Sequence, residues 1–353
     1  MSNNKDIKSG KTGWRSPSNI ALVKYWGKKA GQIPANPSLS MTLSKAYTEM
    51  TMDFRIPEHD KPGVAFAFEG RREVRFETKI TAFFELMTKQ YPRISDFHFQ
   101  ISSHNTFPHS TGIASSASSM SALGLCLADF LNMTGDETLT LKDASGLSRL
   151  ASGSACRSVY GGYVAWGKME QMKGSAEEYA IPVPFRVHPL FSDMKDAILV
   201  VSSREKNVSS RAGHAMMDGH PYSAARYEMA RQNMVLLIKA LETGDFALFS
   251  TVTESEALNL HALMMSSGHA YILFEPNTIN LIKETRRFRN ETGIPVCFTL
   301  DAGPNVHLLY PSENDNVIKD WIKNVLVGFC ENQHWIDDGI GKGPERVFTS
   351  IEH

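Results

Sequence analysis

The chain has 353 residues, 42% of them hydrophobic and 21% charged, with a formal net charge of -1. That length favours two domains over one and supplies apolar material for a core in each. The near-neutral charge gives no footprint for nucleic acid or an anionic membrane, while leaving room for a local basic cleft that takes a small anion.

The opening stretch, MSNNKDIKSGKTGW, is polar and has no signal-peptide core, and no apolar run reaches membrane-spanning length. NIALV (19–23) reads as a strand whose end carries Lys24, Tyr25, Trp26, Gly27 and Lys28. SLSMTLS (38–44), EMTMDFRI (49–56), VAFAFEG (64–70) and EVRFE (73–77) alternate polar and apolar residues and read as strands. KITAFFELMTKQY (79–91) has helical spacing, and DFHFQISSHN (96–105) alternates again. A serine-rich loop then leads into a helix expected from about 117 to 131, and a second helical run follows over 141–162. The Pro-rich stretch from 182 to 203 ends in a buried strand, DAILVVSS, and reads as a boundary, giving domains of 1–190 and 191–353. Beyond it, 222–267 is helical with a break near Gly244, and 277–293 is a helix with a glycine stop. IPVCFTL and NVHLLYP are strands flanking DAGP, and 314–330 is a last helix. The expected class is α+β in two domains. The cysteines at 126, 156, 297 and 330 form no CxxC pair, so free thiols in a soluble cytoplasmic protein are expected, with no zinc site.

Four stretches carry chemistry. FPHSTGIASSASS (107–119) gathers small residues and hydroxyls before a helix, whose free N–H groups and dipole favour an anion by roughly 0.3–1 kcal/mol. It is no Walker loop, because the residue five before Gly10 in the GKT at 10–12 is Lys5. Phosphate binding and a plain serine N-cap fit it equally. At KYWGKK (24–29), two cations and a phenol at a strand end suit a phosphorylated or carboxylated ligand, and a solvated basic strand end fits as well. SGSACRS (152–158) sets Arg157 among small residues, where its fork can meet a carboxylate or phosphate instead of a surface acid. FTLDAGPN (298–305) delivers Asp301 at the end of an apolar strand, where it needs a cation or closes an Asx-turn.

Taken together and in this order, these segments resemble the diphosphomevalonate decarboxylases of the GHMP kinase superfamily. The likeness is carried by NIALVKYWGK, PSLSMTLS, FPHSTGIASSAS, SGSACRSVYGG, VSSRAG and FTLDAGPN, which span Asn19 to Asn305. The chain departs from the usual family pattern at His109, Ser110 and Thr111 of the loop, at Pro37, at Ala151, and in ALNLHA, where His261 stays without its usual polar neighbours.

The resemblance implies a two-domain GHMP kinase fold, with a βαβ-type nucleotide-binding domain, a ferredoxin-like domain and the active site in the cleft between them. It implies ATP and Mg2+, and conversion of mevalonate 5-diphosphate to isopentenyl diphosphate, phosphate, ADP and carbon dioxide. By the same resemblance Asp301, Lys24 and Arg157 are catalytic. Tyr25, Lys28, Ser152, Ser154, Ser210 and Arg211 would hold the 5-diphosphate, Asn19 would support the site, and Gly112, Ser115 and Ser116 would cradle ATP. No protein metal ligand is expected, and a homodimer is.

The chemistry is consistent with that expectation. Decarboxylation needs an electron sink, and the sequence carries no independent signature of pyridoxal or thiamine binding. Phosphorylating a tertiary hydroxyl creates such a sink. The alternatives are a relative acting on mevalonate 5-phosphate, a 3-kinase that does not decarboxylate, a non-catalytic paralogue, or a homoserine- or galactose-type kinase. KYWGK and DAGPN speak against the last.

Overall fold

The computed structural model describes residues 7–58, 61–107, 115–135, 138–204 and 210–352, the side chains at 210, 211 and 352 excepted. An eight-stranded sheet carries the first half of the chain. Its long strands are β1 (Ser9–Val23) and β2 (Ser38–Arg55). Around them lie β3 (Gly63–Phe68), β4 (Arg71–Arg72), β5 (His98–Asn105), β6 (Tyr163–Trp166) and β7 (Ala180–Pro182). The main path runs β12-β1-β2-β5-β3-β4, where β12 (Glu345–Glu352) is the end of the described chain, paired antiparallel to β1.

One face of this sheet is covered by α1 (Val74–Thr88), α2 (Ser115–Thr134) and α3 (Leu141–Ala151). Phe54, Phe97, Phe99 and Phe130 meet edge-on in the core between sheet and helices. EVRFE, which alternates like a strand, instead opens α1: Glu73 caps it by accepting from the Arg75 N–H, and the helical spacing downstream extends back through Val74. α3 starts on a capping box of Thr140 and Asp143 and hands over to a 3-10 turn at Gly153–Val159.

The second half builds a four-stranded antiparallel sheet in the order β11-β8-β10-β9. Its strands are β8 (Met194–Leu199), β9 (Cys297–Thr299), β10 (Val306–Pro311) and β11 (Trp335–Gly339). Two faces of alternating side chains are both buried. Leu199, Phe298 and Leu308 face α7 (Pro276–Thr292) and α8 (Asp315–Asn324). Ile198, Cys297 and Leu309 join α5 (Ser223–Thr243), α6 (Phe246–Met265) and the ends of β1 and β2 in a core shared by both sheets. A short α4 (Ser210–Ala215) precedes α5. The α5–α6 break is made by Gly244, left-handed at φ 80, and by Asp245 as the next N-cap.

The halves are stapled where the β1–β2 ladder slips between Pro17 and Asn19. The amides this frees at Ser44, Lys45 and Ala46 donate to the buried carboxylate of Asp338 on β11, at 2.7–2.9 Å. All four cysteines are free and buried, and among the described residues no helix is long and apolar enough to cross a membrane.

Candidate active site

The second half of β1 is wholly buried, and Lys24 follows directly at its end. Its ammonium, 2% exposed, donates to the Ala21 carbonyl at 2.6 Å and to Asp301 Oδ1 at 3.2 Å. Burial pushes the Lys24 pKa down, and the Asp301 carboxylate opposes that shift.

Asp301 arrives from the other sheet, in the turn between β9 and β10. The turn is held at several points. His261 of α6, stacked on Phe274 at 4.0 Å, donates through Nε2 to the Asp301 carbonyl at 3.1 Å. Thr278 donates to the Pro304 carbonyl at 2.7 Å, and the Asn305 side chain accepts from the amides of Val201 and Ser202. The Asp301 side chain is 25% exposed, so it faces both the buried lysine and open space.

Arg157 lies in the 3-10 turn after α3 and is 2% exposed. Its Nε and Nη2 donate to Asn19 Oδ1 at 3.4 and 3.3 Å, Nε to Ser40 at 3.1 Å, and Nη1 to Ser38 at 2.7 Å. Asn19 in turn donates to the Ser158 hydroxyl at 2.7 Å. All these partners are neutral, and among the described residues Arg157 has no carboxylate within ion-pair distance. Burial holds its pKa below the usual value, and Asp301 is close enough to pull it back up. Lys24, Arg157 and Asp301 therefore share one electrostatic neighbourhood; Glu256, which also acts on Lys24, is neutralised by its pair with Arg226, leaving two buried cations against the Asp301 carboxylate. Such a place favours a further anion.

Tyr25 and Lys28 extend this neighbourhood. The Tyr25 hydroxyl is buried and has no hydrogen-bond partner among the described residues, and burial raises its pKa. Its ring packs on Trp166 at 4.6 Å and on His214 at 4.2 Å. Gly153, between Ser152 and Ser154, has to be glycine for this packing: a Cβ there would lie 2.8 Å from the Tyr25 hydroxyl. The Ser154 carbonyl accepts from Asn19 at 3.4 Å. Gly27, at φ +87 and against the Tyr227 ring, turns the chain so that Lys28 leaves the core, where it donates to Gln32 at 3.1 Å. Ser210 and Arg211 open α4, but their side chains lie outside the described ones.

Ser115 and Ser116 are the first described residues of α2, and Gly112 lies outside the described residues, with His109, Ser110 and Thr111. The serines of this run divide by role. Ser118 and Ser119 are buried and both donate back to the Ser115 carbonyl, with Ser118 also bonded to Thr48 at 2.7 Å. They secure the helix against β2. Ser115 is partly exposed and Ser116 exposed, leaving their hydroxyls available to a ligand. α2 packs on β1, β2 and the Arg157 turn, so its first turn belongs to the same body as Lys24 and Arg157. Among the described residues no three His, Cys, Asp or Glu side chains converge on a metal position.

Three contributors carry no motif signal. His214, from α4, accepts the Gly27 N–H through Nδ1 at 3.1 Å and packs between Tyr25 and Trp26; burial, with Lys28 and Arg157 nearby, pushes its pKa down to about 3. Glu256 and Arg226 form a buried pair beneath Lys24. The sequence clue to that pair is slight: Arg226 is a charge on the otherwise apolar buried face of α5, and Glu256 lies among both apolar and polar buried residues of α6.

Residues 16–177 match the diphosphomevalonate decarboxylase-like N-terminal domain, and residues 197–344 match the mevalonate 5-diphosphate decarboxylase C-terminal domain. The diphosphomevalonate decarboxylase ERG19 of Gibberella zeae is 30% identical over 98% of this chain and 91% of its own. Among solved structures, mevalonate diphosphate decarboxylase from Staphylococcus aureus superposes with a TM-score of 0.82 at 30% identity, covering 97% of this chain and 98% of that one. A complex of MDDEF with MVAPP, AMPPCP and magnesium superposes at 0.81 with 27% identity, over 96% of this chain and 99% of that one.

Proposed function

Because the chain belongs to the diphosphomevalonate decarboxylase family, we propose that it catalyses the ATP-dependent decarboxylation of mevalonate 5-diphosphate to isopentenyl diphosphate, a step of isoprenoid biosynthesis. The observation that carries the reading is the Lys24–Asp301 contact at 3.2 Å with Arg157 in the same field. The γ-phosphoryl of ATP passes to the oxygen of the tertiary 3-hydroxyl, which loses its proton, and ADP departs. The C3–O bond then breaks with its electron pair on the leaving phosphate. The carboxylate's C–C bond supplies the electrons of the new double bond, and carbon dioxide is released.

Asp301 orients the 3-hydroxyl, accepts its proton and faces the positive charge that grows at C3. A positioned base is worth about 10²–10⁴-fold. Lys24 donates to Asp301 at 3.2 Å and reaches toward the incoming phosphoryl. Arg157, with no carboxylate partner among the described residues, takes the substrate carboxylate, and Asn19 with Ser38 and Ser40 keeps its fork aimed. The 5-diphosphate lies on Tyr25, whose buried hydroxyl lacks a partner among the described residues, and on Lys28, Ser152, Ser154, Ser210 and Arg211. Gly112, Ser115 and Ser116 receive the ATP phosphates at the start of α2. Mg2+ carried on those phosphates would neutralise charge at the transferred group; the hydroxyl oxygens of Ser115 and Ser116 are hard donors of the kind it takes.

The nucleotide half is taken as residues 1–190 and the second half as 191–353, with β12 returning to the first sheet. The enzyme is taken to work in the cytoplasm as a homodimer. The experiment that tests the reading is ADP release with ATP, Mg2+ and each of mevalonate, its 5-phosphate and its 5-diphosphate in turn. Turnover confined to the 5-diphosphate is expected; preference for the monophosphate would sink the assignment of the Tyr25–Lys28 clamp.

A further inference from the structure

Lys24 sits where β1 leaves its ladder, so its own N–H and C=O have no strand partner to bond. Both groups are taken by one ion pair. The Lys24 N–H donates to Glu256 Oε2 at 2.8 Å, and the Lys24 carbonyl accepts from Arg226 Nη2 at 2.9 Å, with Asn36 as a second donor at 2.9 Å. Arg226 and Glu256 are joined by two parallel bonds of 2.7 Å, and Asn233 donates to Glu256 at 2.6 Å. Glu256 is 0% exposed.

We propose that the Arg226–Glu256 pair is a positioning device for the reaction: α5 and α6 grip the main chain of Lys24 through it and so set the Lys24 ammonium against Asp301. This rests on the functional reading above only for what the ammonium then does. A helix–helix contact does not need a desolvated ion pair, since apolar side chains of like volume serve at least as well. What apolar side chains cannot do is accept from an N–H and donate to a C=O at the same residue. The bidentate geometry makes those two bonds mutually dependent. α6 also bears His261, which holds the Asp301 carbonyl. One helix thus fixes both partners of the 3.2 Å contact.

The charges acting on Lys24 are Asp301 from the β9–β10 turn, Glu256 from α6, Arg157 from the 3-10 turn and Asp196 from β8, with Arg226 of α5 neutralising Glu256. Glu256 supports the protonated lysine. Two variants test the proposal. Glu256→Gln keeps the shape and removes the charge. The double variant Arg226→Met/Glu256→Leu removes the whole pair without stranding a buried charge.

Expected for Glu256→Gln are a kcat about tenfold lower and a basic limb of the pH profile displaced to lower pH. For the double variant, kcat falls about 10²-fold, the KM for ATP hardly moves, and the melting temperature stays close to the parent's. Wild-type kcat and pH profile in either variant would overturn the proposal, and so would parallel loss of kcat and melting temperature in the double variant. A second arm reads the lysine without any substrate. In protein labelled at lysine Cε, the Lys24 resonance is expected to titrate at lower pH in Glu256→Gln than in the parent, and an unchanged titration overturns the proposal whatever the enzyme turns over.

Discussion

Lys24 and Asp301 meet at 3.2 Å from opposite sheets, and they differ in how they face water: the ammonium is 2% exposed and the carboxylate 25%. The lysine is therefore a fixed, desolvated cation. The aspartate is the member open to a ligand. Under the proposed function the catalytic demand falls on Asp301, with Lys24 as its electrostatic setting.

Asp301→Asn preserves volume and removes the charge. Turnover should fall by about 10²–10⁴-fold, while affinity for ATP, which the proposal places at the start of α2, stays near the parent value. Measured by single-turnover kinetics and nucleotide titration, an equal loss in both would make Asp301 a structural residue.

The pH dependence follows from Lys24. Burial lowers its pKa, so its ammonium is lost below the ordinary lysine value of 10.5 as pH rises. The activity should have a basic limb below that pH, and the contact with Asp301 should be complete only on the acid side of it. A profile of kcat/KM flat up to pH 10.5 would contradict this.

Arg157 is a buried guanidinium held by neutral oxygens. Such a charge is costly to fold around, and under the proposed function its return is the substrate carboxylate it binds. Arg157→Gln should cut turnover by at least about tenfold, the loss of one charge-assisted contact, and leave the melting temperature level or higher. A marked drop in melting temperature would show that the arginine serves the fold.

His214 is neutral in the fold, with its pKa pushed down to about 3. The unfolded chain binds a proton near pH 6.5 and the native protein does not, so between pH 6.5 and 3 stability falls as pH falls. From this one group the protein should lose about 2 kcal/mol of stability between pH 7 and pH 5. His214→Phe keeps a ring between Tyr25 and Trp26 and lacks the titration. Urea midpoints at the two pH values should differ less in that variant than in the parent, and equal differences would refute the account.

Legibility in the sequence divides along physical lines. Helices with local stop signals were readable, such as the Gly244 break and the Gly293 stop. The class and the strands around DAGP followed from periodicity. EVRFE misled because five alternating residues cannot outweigh a capped helix beginning inside them. The first ten residues of β1 and the whole of β12 were not visible, because the pairing of Ser9–Arg15 with a strand some 330 residues away leaves no local mark. At the site, Lys24, Arg157 and Asp301 could be singled out from their local setting, each with a plain structural reading beside it, and the motif resemblance joined them into one site. His214, Arg226 and Glu256 act through contacts whose partners are remote in the chain, so no spacing pattern announces them.

The most direct test follows carbon and phosphate together. With ATP, Mg2+ and mevalonate 5-diphosphate labelled at C1, the protein should release labelled carbon dioxide, ADP and inorganic phosphate in equal amounts, all lost together in Asp301→Asn. ADP formed with the label retained in a phosphorylated acid, or release of carbon dioxide undiminished in Asp301→Asn, would contradict the account.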